Sequence, residues 1–162
     1  MSAELLSNSL KAILYNEDYT AENSAPQRRD CYSVQQYRYD CRYPVDDNGR
    51  VTGQTRGVTL EMTVKILSPE QSKTFYKRLQ SRESFSYTIF YNPVFDSSAR
   101  LSKFDDCMLF QGYVVDIEED FDTTPNSGGI DTQMLMKVRL LLTEIRFRSR
   151  NGQDMDLPIS SF

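Results

Sequence analysis

Apolar residues recur at every second position through much of the chain. Val58, Leu60, Met62, Val64 and Ile66 alternate with Thr59, Glu61, Thr63 and Lys65, the pattern of a strand with one buried and one wet face. Phe85, Tyr87, Ile89 and Tyr91 alternate in the same way. Tyr113, Val115, Ile117 and Phe121 share one parity, with Asp116, Glu118 and Asp120 on the other. Leu10, Ala12 and Leu14 make a weaker first strand.

Two strands change phase partway. Tyr32 and Val34 occupy even positions but Tyr37, Tyr39, Cys41 and Tyr43 odd ones, which requires a bulge or bend near Gln35 and Gln36. Met134, Met136, Val138, Leu140 and Leu142 give way to Ile145 and Phe147, placing a second break near Thr143 and Glu144. One extra residue bends a strand and raises its twist, which curls a sheet toward a barrel.

One helix is predicted, over residues 68–81. Ser68-Pro69-Glu70-Gln71 supplies an N-cap serine, proline at the first helical position and Gln at the third, followed by Phe75, Tyr76 and Leu79 at helical spacing. Loops are expected over 21–27, 92–103 and 123–131, together with an extended hairpin over 44–57 that turns at Asn48-Gly49.

A length of 162 residues fits a single domain spanning 1–162, and 39% hydrophobic residues suffice for one core. The net charge of -4 gives no whole-molecule attraction for nucleic acid or an anionic membrane. Histidine is absent, which excludes Ser-His-Asp and Cys-His catalysis and every His-ligated metal. Cys31, Cys41 and Cys107 are odd in number and form no C-x-x-C pair, so neither a disulfide framework nor a zinc site is expected. The N-terminus carries Glu4 and shows neither a basic leader nor an apolar run, so folding in a reducing cytosol is expected.

Asp116, Glu118, Glu119, Asp120 and Asp122 invite a calcium or glycosidase reading. On a strand, however, Asp116, Glu118 and Asp120 form a line with about 7 Å between neighbours, from a rise of ~3.3 Å per residue, whereas calcium needs converging oxygens. A solvated or partner-facing edge is preferred. Lys137, Arg139, Arg146, Arg148 and Arg150 form a basic counterpart; pairing with the acidic line, within or between subunits, is preferred to a phosphate site. The stretch from Gly49 to Gly57 lacks the Gly-Lys-Ser/Thr ending of a nucleotide loop, and a flexible arm is the simpler reading. Ten Tyr and nine Phe fall mostly on strand positions shared with aliphatics, favouring packing over base stacking.

The order of parts resembles a known family. A strand enters the hairpin Asp46-Asp47-Asn48-Gly49-Arg50-Val51-Thr52-Gly53 running to Arg56-Gly57. An alternating strand, one short helix, the segment Gly112 to Asp122 and the closing run Gln133 to Ile145 follow. Over roughly residues 10–160 the chain is similar to type VI secretion tube proteins of the Hcp/TssD family, in the form found in Bacteroidetes.

That resemblance implies a mainly β fold: a small barrel of two packed antiparallel sheets with one flanking helix, also shared by phage tail tubes. It implies a homo-hexameric ring that stacks into a hollow tube inside a contractile sheath, with baseplate and spike proteins and protein effectors as partners. The tube would be assembled in the cytoplasm and expelled without a signal peptide, with no cofactor, no nucleic acid and no membrane insertion. Asp46 through Gly57 then falls at contacts between subunits and rings. The charged lines, Asp116, Glu118 and Asp120 against Arg146, Arg148 and Arg150, suit a head-to-tail contact. A phage-like contractile injection particle, a non-polymerising ligand- or effector-binding barrel, and an enzyme using Asp116 and Glu118 stay open.

Overall fold

The computed structural model describes residues 11–17, 19, 25–41, 45–52, 55–122, 133–149, 153–157 and 159–160. Strands β1 (Ala12–Tyr15), β2 (Cys31–Tyr39), β4 (Thr59–Ile66), β5 (Phe85–Tyr91), β8 (Cys107–Asp122) and β9 (Gln133–Arg148) form a sheet in the order β9-β4-β2-β1-β5-β8. Pairing of β8 with β9 closes it into a six-stranded antiparallel barrel. β10 (Asp154–Leu157) extends the far half of β9. β3 (Thr55–Arg56) pairs in parallel with β11 (Ile159–Ser160), and β6 (Val94–Phe95) with β7 (Leu101–Lys103).

Bulges accomplish the closure. The β2–β4 register shifts between Val34 and Gln36, and the β8–β9 register shifts where Thr143 is the unpaired residue opposite Gln111 and Gly112. Both fall where the apolar phase changes in the sequence. A third bulge, at Val115, lies between the pairs Val114–Leu140 and Asp116–Arg139. It corrects the expected unbroken parity through Tyr113, Val115 and Ile117: Val114 is buried, while Tyr113 and Val115 face outward.

The barrel is filled by side chains. Leu14, Leu60, Val64, Ile89, Met108, Met136, Val138, Leu140 and Leu142 are fully buried, and burying each such side chain contributes about 1.5–3 kcal/mol. Phe75 of α1 (Pro69–Ser81) joins them, its ring 5.0 Å from that of Tyr32. Ser68 caps α1 by its backbone geometry, without a side-chain hydrogen bond. The Gln71 carboxamide oxygen instead accepts from the N–H of Leu67, the residue before the cap, at 2.8 Å. At the other end Arg82 adopts a left-handed conformation, φ 59°, and stops the helix. The Arg78 guanidinium stacks on Phe85 and Tyr87 at 4.4 and 5.0 Å from the ring centroids and donates to the Asn16 carbonyl at 2.9 Å, which ties α1 to β5.

A second layer lies outside the wall made by β1, β5 and the start of β8. Ile13, Cys31, Phe90, Leu101, Cys107 and Leu109 are buried there, beneath Tyr19 and Phe104. The rings of Tyr19, Phe90 and Phe104 meet edge to face at 4.9 to 5.7 Å. The buried Thr88 hydroxyl donates to the Glu17 carbonyl and accepts from the Tyr19 N–H, satisfying its own polarity while holding the layer down.

Candidate assembly surfaces

The arm is a defined turn. The Asp46 carboxylate accepts from the N–H groups of Asn48 and Arg50, each at 2.9 Å. The Gly49 N–H closes the turn onto the Asp46 carbonyl at 3.0 Å. Gly49 has φ +79°, a conformation that glycine adopts without Cβ strain. This is the turn expected at Asn48-Gly49. Val45 and Val51 pair across the base of the turn, and each is 62% exposed. Asp47 and Thr52 are exposed and Gly57 re-enters β4 with φ 63°; Arg56 lies in β3. Gly53 falls outside the described residues, as does Arg150.

Of the expected basic line, Lys137 and Arg139 stand beside the acidic line within the chain, whereas Arg146 and Arg148 do not. Asp116 and Glu118 of β8 stand opposite Arg139 and Lys137 of β9, while Asp120 faces Leu135. Arg139 reaches Asp116 at 3.9 Å, and Glu61 of β4 reaches Lys137 at 3.1 Å and Arg139 at 3.8 Å. Arg146 and Arg148 lie beyond the Thr143 bulge, away from the acidic line. Arg148 grips Asp154 with two bonds of 2.8 and 3.1 Å and donates to the Tyr19 carbonyl at 2.9 Å. Arg146 bridges Glu144 at 3.0 Å and Asp154 at 3.8 Å. The Arg148 bonds, with the Arg146 charge behind them, hold the Asp154 carboxyl below its ordinary range. Sequence reasoning missed Asp154 and Glu61. Their roles depend on register, although an isolated acid in a strand beside a basic one is a usable signal.

Asp116 and Glu118 are exposed, aligned and each opposite a cation, which is not the convergent pair that carboxylate catalysis requires. Among the described residues no three His, Cys, Asp or Glu side chains group to hold a metal. An open depression of about 650 Å3 at the arm end of the barrel, between Tyr91, Phe147 and Met155, lies outside the packed interior.

The chain that builds this barrel matches a family model, hemolysin coregulated protein Hcp (TssD), over residues 8–152. The chain belongs to the Hcp (TssD) family. It is therefore a subunit of the inner tube of a type VI secretion system. Solved structures agree on the fold. Hcp1 from Flavobacterium johnsoniae is 16% identical with a TM-score of 0.54, covering 90% of this chain and 98% of its own. Hcp1 from E. coli EAEC 042 is 13% identical with a TM-score of 0.58, covering 90% and 96%. The SPP1 tail tube is 13% identical with a TM-score of 0.51, covering 87% and 78%. A search of curated protein sequences found no match.

Proposed function

We propose that six copies of this Hcp-family chain close into a ring, that rings stack into the tube, and that the arm from Asp46 to Gly57 reaches a neighbouring copy. The arm tip carries the proposal. Its Asx turn gives it a fixed shape, and that shape presents two valines to water. Exposed apolar surface held in a defined conformation is stabilised when another surface covers it. At the far end of β4 and β8, away from the arm, Leu67 and Phe121 are also exposed, 60% and 57%. Apolar groups at both ends of a subunit suit a head-to-tail contact, in which unlike surfaces meet.

Asp116, Arg146 and Arg148 already have ion-pair partners inside the chain, so the arm bears the interface assignment. The role is structural, with no catalytic step and no cofactor. Sheath, baseplate and spike proteins and protein effectors are the partners this role implies, with assembly in the cytoplasm and export without a signal peptide. Replacing the arm by a two-residue turn tests the reading. The circular dichroism of the barrel should persist while the assembled mass falls. Rings and tubes formed as in wild type would remove the arm from the interface.

A further inference from the structure

The limb by which the arm returns to the barrel is held by a distant part of the chain. Near the tip Val51 bridges Val45. At the base β3 pairs in parallel with β11, Thr55 opposite Ile159 and Arg56 opposite Ser160. Among the described residues, β11 is the one strand with which β3 pairs. The chain then turns at Gly57, φ 63°, and the buried Val58 enters the wall, its carbonyl accepting from the Leu142 N–H at 2.9 Å. β3 is thus the last part of the arm outside the barrel, and whatever fixes β3 fixes the direction in which the arm leaves.

β11 is itself anchored. β10 lies along the end of β9, from Asp154 opposite Arg148 to Leu157 opposite Ile145. The Arg148–Asp154 fork and the Ser149 N–H, which donates to the Gln153 carbonyl at 3.0 Å, hold that turn together. Leu157 and Ile159 are half-buried against the main core, and β11 lies against β9. One continuous path therefore runs from β9 through β10 and β11 to the base of the arm.

A parallel pair two residues long adds little to a barrel closed by far longer ladders. Its effect falls on the arm. An arm free to swing at its base must give up that freedom when a second copy holds it, and each backbone residue ordered on association weakens binding about ten-fold. Ordering it beforehand, within the subunit, removes that cost.

Resting on the ring reading above, we propose that β11 is the positioning strand of the arm: by pairing with β3 it fixes, in the free subunit, the direction in which the arm reaches a second copy. Ending the chain after Leu157 removes β11 and keeps β10. In unassembled subunits, hydrogen exchange over residues 51–58 should then accelerate while β4, β8 and β9 stay protected. The concentration needed for ring formation should rise about ten-fold or more. Unchanged exchange over 51–58, or faster exchange with unchanged assembly, would overturn the proposal.

Should the shortened chain lose protection throughout the barrel, a second variant decides. Thr55→Cys with Ile159→Cys, in a Cys41→Ser background, puts thiols on register-paired residues, whose separation of about 5 Å a disulfide spans. The oxidised protein should assemble at a lower concentration than the same protein reduced. Equal or poorer assembly on oxidation would overturn the positioning role while leaving the ring reading intact. Wild-type protein that forms no rings at any concentration would overturn the ring reading and the positioning role with it.

Discussion

Gly112 lies so close to the Leu141 carbonyl oxygen that a Cβ on Gly112 would stand 2.6 Å from it, with the Leu142 side chain at 3.1 Å. The approach occurs beside the Thr143 bulge, where β8 and β9 are drawn together as the barrel closes. Because the nearest obstacle is backbone, a side chain cannot rotate to make room. Gly112→Ala should cost about 1–3 kcal/mol, the usual penalty of overpacking, and lower the thermal midpoint by several degrees. An unchanged midpoint would mean that the closing seam gives way easily.

The Arg148–Asp154 pair makes stability depend on pH in a stated direction. A carboxyl held below its ordinary value, near 3.8 for Asp154, contributes stability that is full above that value and fades as the pH falls through the folded one. Thermal melts from neutral to about pH 3 should therefore show a steeper acid loss for wild type than for Asp154→Asn. Parallel curves would contradict the linkage. Arg148→Ala should destabilise at neutral pH as well, since it also releases the Tyr19 carbonyl.

Bulges were legible in the sequence where the extra residue is polar and illegible where it is apolar. Gln35 and Thr143 each interrupt an apolar alternation, so the slip in phase is visible. Val115 occupies its bulge as an apolar residue and keeps Tyr113, Val115 and Ile117 in apparent step; only Val114 on the other parity hinted otherwise. The second layer was missed for a related reason. Phe90, Cys107 and Leu109 are buried on the face that alternation assigns to water, and the run Cys107-Met108-Leu109-Phe110 is the mark of a strand covered on both sides. The arm turn was readable because Asn-Gly demands a particular backbone. That the acidic line would meet the basic strand was readable too; which cation each acid meets was not, since one bulge decides it.

The buried thiols should be unreactive. Burial pushes the Cys31 thiol up to about 12, with Asp30 adding to the effect, and Cys107 is buried in the same layer. A disulfide-exchange reagent at pH 8 should leave both untouched in the folded protein and react with Cys41 alone, slowly, because burial raises that thiol as well. Rapid reaction of three thiols would show that the second layer opens readily.

Polar replacement of the arm tip should separate assembly from folding. Val45 and Val51 contact little of their own barrel, so Val45→Ser with Val51→Ser should leave the thermal midpoint of the isolated subunit nearly unchanged while raising the concentration needed for assembly. A lower subunit midpoint with unaltered assembly would assign the valines to the fold instead.

The mass of the purified protein in solution, measured by light scattering on a sizing column, tests the central claim most directly. A ring of six copies is predicted at micromolar concentration, seen as a six-fold toroid in electron micrographs of the same fraction. A single species at the 18.8 kDa of one chain, with no rings in the micrographs, would contradict it.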